Sequence, residues 1–256
     1  MTALAVTAWL SVAMMGAWAA QRAAGNAGWV DVIWTLALGA AGVGSGLAAA
    51  GPRGALVAVL AALWALRLGG HILRRTRSGP EDARYANLRV DWGVRFQARM
   101  FGFLQIQAAA AAVLAMAFVV AAHNPARLGI GDALGVAVFA AGVAGGAVAD
   151  AQLARFRRDP AHHGGLCETG LWRYARHPNY FFEFLGWCCW PLLAIAPGYP
   201  WGWLALAAPA LMYVLLVHVS GIPPLEAAML RSRGDRYRAY QARTRPFLPL
   251  PKRSPR

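Results

Sequence analysis

Acidic residues are scarce in this chain: Asp and Glu together number 11 against 25 Lys and Arg, and only 14% of all residues carry charge. So little charge in 256 residues excludes an ordinary soluble domain of this length, and a hydrophobic share of 58% leads to the same exclusion. Cysteine is rare as well. Cys167, Cys188 and Cys189 have no metal-ligand spacing, two of them fall inside an apolar run, and all three read as packing residues, so no metal is expected. Low-complexity segments and a convincing internal repeat are missing too. The sequence therefore reads as one helical membrane domain over residues 1–256.

Apolar length is what the chain has in abundance. Seven stretches are long enough, or nearly so, to cross about 30 Å of hydrocarbon at about 1.5 Å per residue. They run roughly over Ala3 to Ala20, Gly28 to Ala50, Ala55 to Leu73, Phe101 to Ala122, Ile130 to Ala151, Tyr180 to Ala196 and Trp201 to Gly221. The first ends in a small-residue pattern, "GAWAAQ", but no Lys or Arg precedes it, so it reads as a span and not as a signal peptide. The expected fold is all-α: a bundle of about seven transmembrane helices.

Basic residues set the orientation. The odd-numbered connections and the tail hold 22 of them and the even-numbered connections hold 2, with Arg67 inside a span. Positive charge favours the cytoplasmic side, so the N-terminus is expected outside and the C-terminus in the cytoplasm. The net charge of +14 then serves anionic headgroups at the inner face; nucleic acid is not an expected partner. The third connection opens with turn residues at Ser78 to Pro80 and continues as an amphipathic, Arg-bearing stretch, read as a helix lying on the inner surface. "GVGSG" at 42–46 and "GVAGG" at 142–146 carry small-xxx-small spacings that permit close helix packing.

Polar groups inside apolar spans are costly and mark candidate sites. Here they are Asp31, Arg67, His71, Gln105, Gln107, Asp150, Asn179, Glu183 and His218, with Glu226 just beyond the seventh stretch. Given the orientation, all fall toward the cytoplasmic leaflet. Arg67 and His71 are four apart and share a helix face. "RYARHPNYFFE" at 173–183 concentrates the signal: Pro178 suits the first position of a helix, whose N-terminus between Arg173 and Arg176 suits phosphate. One turn further in, Asn179 and Glu183 share a face, and an amide with a carboxylate can read a carboxamide, an amine or ribose hydroxyls. Asp150, followed by "AQLARFRR", adds an acid and more arginines. The set suits a phosphate-bearing, hydroxyl-rich cofactor.

"GGLCETGLWRYARHPNYFFEFLGW" and the tail "GIPPLEAAMLRSRGDRYRAYQARTRPFLP" resemble the membrane superfamily of steroid 5-alpha-reductases, sterol reductases and isoprenylcysteine carboxyl methyltransferases, above all its bacterial steroid-reductase-like branch. "GWVDVIW", "LWALRLGGHILRR" and "EDARY" resemble other segments of that branch, and the C-terminal third, about 130–250, is the most specific part. The resemblance implies NADPH bound from the cytosolic side of a bacterial inner membrane and a hydrophobic, steroid-like or other lipid substrate entering from the bilayer. Carried over residue by residue, it implies cofactor contacts from Arg75, Asp150, Arg157, Tyr174, Asn179 and Glu183; Arg176, His177 and Tyr180 of the same motif complete the expected cofactor-binding set. The Gln-Glu pair and the third-helix tyrosine of the steroid enzymes are absent, which leaves Asp31 and His71 as the nearest acids for catalysis. The expected activity is reduction of a carbon–carbon double bond of the enone type. The tail's E-x-x-x-L…Y-x-x-Y pattern also resembles the S-adenosylmethionine-dependent methyltransferases, the alternative expectation, with a non-catalytic lipid-binding protein as the third.

Overall fold

The computed structural model describes residues 3–79, 81–162 and 164–251. Pro80 of the expected turn and the basic residues Lys252, Arg253 and Arg256 of the tail lie outside the described residues. In chain order the helices are α1 (Ala3–Ala24), α2 (Gly28–Ala49), α3 (Gly51–Ser78), α4 (Ala83–Trp92), α5 (Phe96–Ala122), α6 (Ile130–Arg158), α7 (Pro178–Trp187), α8 (Cys189–Ala194), α9 (Ala207–Val214) and α10 (Ile222–Arg243). A 3₁₀ segment, Pro200–Leu206, precedes α9, and a π-helical turn, Leu215–Val219, follows it. Among the described residues there is no named strand, and the all-α expectation holds.

Among the described residues, six helical segments are long and apolar enough to cross a membrane: Ala3–Ala24, Gly28–Ala49, Gly51–Ser78, Arg84–Ala122, Ile130–Arg158 and Pro200–Arg243. The chain is therefore a multi-pass membrane protein in contact with lipid. The expected sixth span, Tyr180 to Ala196, is not one continuous helix: α7 ends at Trp187 and the six-residue α8 follows. Pro191 is the cause. It has no N–H to give the Trp187 carbonyl, and its ring crowds that same carbonyl, four residues back.

The chain divides into two compact units, Met1–Gly135 with Trp190–Leu211, and Val136–Cys189 with Met212–Arg256. In the first unit α2 and α3 meet through the "GVGSG" segment, where a Cβ on Gly42 would lie 2.6 Å from that of Ala61 and one on Gly46 would lie 2.4 Å from the Gly54 carbonyl oxygen. At the start of α3, Arg53 is buried and bonds Asp132 bidentately, Nε to Oδ1 at 2.9 Å and Nη2 to Oδ2 at 2.8 Å. Its guanidinium also donates to the carbonyls of Asn124, Ala126 and Arg127, which fixes the connection between α5 and α6. The Asn124 amide in turn donates to the Leu193 carbonyl at 2.9 Å.

In the second unit "GVAGG" does the same for α6 and α7: a Cβ on Gly142 would meet the Gly186 nitrogen at 2.5 Å. The short 3₁₀ turn Gly170–Arg173 is tied to α6 by Trp172 Nε1 donating to the Ala149 carbonyl at 3.0 Å and by Gln152 Oε1 accepting from Leu171 N–H at 2.9 Å. Tyr240 of α10 closes this arrangement, its hydroxyl donating to the Trp172 carbonyl at 2.7 Å. These bonds position the segment that leads into α7.

Candidate functional site

The sequence-predicted residues fall into both units. Asp31, His71 and Arg75 lie in the first, and Asp150, Arg157, Tyr174, Arg176, His177, Asn179, Tyr180 and Glu183 lie in the second.

Asp31 sits in the first turn of α2, half-buried, where it accepts from Arg84 Nη2 at 2.6 Å and from the Tyr85 hydroxyl at 2.7 Å. Both side-chain oxygens of Asp31 thus act as acceptors, one from a guanidinium and one from a phenol. Arg84 also reaches Asp82, whose Oδ1 accepts from Arg84 Nε and from Arg84 N–H, both at 3.0 Å, capping α4. Burial works against ionisation of Asp82, but Arg84 beside it, with Arg75, holds its carboxyl below the usual carboxylate range. Arg75 itself is exposed at the end of α3 and pairs with Asp82 at 3.0 Å. Glu81 caps the start of α2 by accepting from Ala27 N–H at 2.8 Å, and Arg89 joins it at 2.9 Å. The "EDARY" segment thus clamps the start of α2. His71 lies half-buried on α3.

In the second unit α7 begins at Pro178, as its proline indicates, with His177 as the N-cap residue. Asn179, Tyr180 and Glu183 occupy its first two turns, each half-buried, and Glu183 accepts from Trp187 Nε1 at 3.0 Å. Tyr174 is 41% exposed. Asp150 is half-buried on α6 and Arg157, two turns on, is exposed. A cavity of about 300 Å³ opens beside the end of α6, lined by Phe156, His162, Glu168, Thr169 and Arg236 among others, and it includes none of the expected site residues.

Arg176 departs from its expected place at a phosphate. It is 7% exposed, its Nε donates to Glu226 Oε1 at 2.7 Å, and its Nη1 donates to the carbonyls of Gln241 and Thr244. The amides ahead of α7 are likewise occupied: Arg176 N–H donates to the Arg245 carbonyl at 2.9 Å and His177 N–H to that of Pro246 at 3.0 Å. His177 is buried, stacks on Tyr180 with ring centroids 5.6 Å apart, and lies with Nε2 3.1 Å from Glu226 Oε1. Gln241 Nε2 completes the knot, donating to Glu226 Oε2 at 2.8 Å. Glu226 is the residue that sequence reasoning left aside; its place after "GIPP" marks it only as an acid beyond a span.

The knot has a definite charge state. Glu226 accepts from Arg176 and Gln241 and lies against His177. Burial lowers His177 below 6.5 and outweighs the pull of Glu226, so the neutral imidazole donates from Nε2 to the carboxylate. The shift is downward, so the unfolded chain takes up the proton first and acid destabilises the fold. Stability is expected to fall as pH drops below 6.5 because of His177. Unfolding midpoints of wild type and His177→Gln across that range check this: the variant should lose that decline.

Fold and site together define a multi-pass helical membrane protein that carries a buried, charge-paired cap on the polar start of one short helix. The chain belongs to the DUF1295 family, described as proteins of unknown function, whose profile matches residues 17–244. No curated protein and no solved structure matches it.

Proposed function

We propose that this protein is an NADPH-dependent reductase of a carbon–carbon double bond in a hydrophobic, enone-bearing lipid, as the resemblance to steroid-reductase-like membrane enzymes implies. The observation that carries the reading is the pair Asn179 and Glu183, half-buried four residues apart on α7, behind a helix start fixed by Arg176 and Glu226. An amide and a carboxylate on one face match the donor and acceptor demands of a nicotinamide carboxamide. Asp150 suits a ribose hydroxyl, and Arg157 with Arg173 suits phosphate. Tyr174 and Tyr180 offer ring faces, and Arg176 and His177 support this set from beneath through Glu226. When bound, NADPH supplies the hydride that the reduction needs. The chain's own task is to hold the lipid, exclude water and place a hydrogen-bond donor at the carbonyl oxygen, which gains charge as the double bond accepts the hydride. A proton from solvent at the α-carbon then restores the carbonyl.

The same reading takes α7 and α8 together as a further crossing, for seven in all. It also places the N-terminus outside, the C-terminus and cofactor residues in the cytoplasm, and the chain in a bacterial inner membrane, following the basic residues. Thermal unfolding of the detergent-purified protein with NADPH, NADH or S-adenosylmethionine tests it. A ligand at 100 times its dissociation constant stabilises by about 2.7 kcal/mol. Stabilisation by NADPH that Glu183→Gln abolishes is the expected result; stabilisation by S-adenosylmethionine instead would make the protein a methyltransferase, and none at all would favour a lipid-binding role.

A further inference from the structure

The apolar stretch 201–221 ends in a local widening of the helix. After α9 the chain widens into the π-turn Leu215–Val219, where Ser220 N–H reaches back five residues to the Leu215 carbonyl at 2.8 Å and Gly221 N–H reaches the same oxygen at 3.0 Å. Gly221 is required there, because a Cβ would lie 2.4 Å from the Leu216 carbonyl oxygen. A π-turn inside a helix is uncommon, and such turns concentrate at functional sites. Its geometric effect is to bring residues five apart toward one face, and Tyr213 and His218 are five apart.

Their rings do meet, with centroids 5.5 Å apart and planes at 70°. Both side chains are exposed, Tyr213 by 40%. Neither the Tyr213 hydroxyl nor a ring nitrogen of His218 has a hydrogen-bond partner among the described residues. Two unsatisfied polar heads side by side in an apolar stretch are costly in a bilayer, where water is not there to satisfy them. Beside them the wall is aromatic: Tyr213 packs edge-on against Phe184 of α7 at 5.9 Å and against Phe247 at 5.6 Å.

We propose that Tyr213 and His218 form the subsite that binds the carbonyl oxygen of the lipid substrate, with Phe184 and Phe247 against its apolar body. A carbonyl oxygen has two lone pairs, and the phenolic O–H and an imidazole N–H supply one donor for each. The subsite belongs to the same unit as Asn179 and Glu183. It relieves Asp31, already bound to Arg84 and Tyr85, of the role expected of it from sequence. The proposal rests on the reductase reading for one point, that the acceptor is an enone carbonyl.

Difference infrared spectroscopy of the full-length protein in phosphatidylcholine nanodiscs tests it, with cholest-4-en-3-one and a long-chain α,β-unsaturated ketone as probes. The carbonyl band of at least one bound probe should move to lower frequency than in empty nanodiscs. Part of that shift should vanish in Tyr213→Phe or His218→Phe and all of it in the double variant. The variants keep both rings, so an unchanged unfolding midpoint certifies that the fold is intact. An unshifted band with both probes, or a full shift in the double variant, would overturn the subsite and leave the two heads as interfacial anchors reaching headgroup water. Consumption of NADPH is scored separately. A shift lost in the double variant without any NADPH consumption by wild type upholds the subsite and sinks the reductase reading. Turnover undiminished in the double variant does the reverse.

Discussion

Arg53→Met should lower the stability of the reconstituted protein by about 3–5 kcal/mol, the usual cost of stripping one partner from a buried ion pair. The size follows from what is left behind. The Asp132 side chain is only 9% exposed, so its charge would stay buried, left with backbone donors such as Gly129 N–H at 2.8 Å. Three carbonyls would also lose a donor, those of Asn124, Ala126 and Arg127. Met fills roughly the volume of the arginine stem, so lost packing contributes little. The decisive comparison is the double variant Arg53→Met with Asp132→Leu. Because two matched apolar groups replace a desolvated pair at little net cost, the double variant should recover much of the loss. An unfolding free energy for Arg53→Met within about 1 kcal/mol of wild type, a small effect for a point mutation, would show that the pair is solvated in the membrane-embedded protein.

Glu226→Leu is the second large effect, also about 3–5 kcal/mol, because it abandons the buried Arg176 guanidinium. Its consequences should be local in a way those of Arg53→Met are not. Glu226 joins three groups: Arg176 and His177 ahead of α7, and Gln241 late in α10. Without it, the backbone pairing of residues 176 and 177 with 245 and 246 has lost its side-chain support. Hydrogen exchange at these amides should therefore accelerate before global unfolding. Glu226→Gln keeps an acceptor and loses only the charge assistance of its bonds, so it should fall between wild type and Glu226→Leu. Under the proposed reductase function, NADPH affinity should decline in the same order, since Asn179 and Tyr180 follow directly on the loosened turn. Uniform exchange across α7 in all three proteins would count against this local role.

Much of the fold could be read in the sequence because its causes are local. Pro178 marks the start of α7 by its missing N–H, and the glycines of "GVGSG" and "GVAGG" mark the close contacts by their missing side chains. Hydropathy marks seven apolar stretches, whereas among the described residues six helical segments are long and apolar enough to cross a membrane. It reads through the interruption at Pro191, since a hydropathy window weighs how apolar a residue is and not whether it can donate a hydrogen bond. The π-turn is hidden for a similar reason: nothing in the composition of "LLVHV" forbids an ordinary α-helical turn.

The candidate site was legible where neighbours in sequence share a face, as Asn179 and Glu183 do. It was not legible where a side chain's partner is distant along the chain. Arg176 looks like a phosphate ligand until Glu226, 50 residues on, is seen to hold it. Asp31 stands alone in the second apolar stretch until Arg84, 53 residues on, is seen to bond it. A charge's destination is a tertiary property, and spacing within one helix carries no information about it.

The pairing of Arg176 with the Thr244 carbonyl spans 68 residues, which has a consequence for how the protein is made. At about 5–20 residues per second, a ribosome needs on the order of ten seconds to add the stretch that covers the start of α7. During that interval the positive charge of Arg176 is without its eventual shelter and the approach to Asn179 and Glu183 is uncovered. The nascent chain is already threaded into the bilayer through its earlier helices by then. Maturation of this protein is therefore a two-stage affair, insertion first and closure over the start of α7 afterwards, with Glu226 and the segment around Arg245 as the closing stroke.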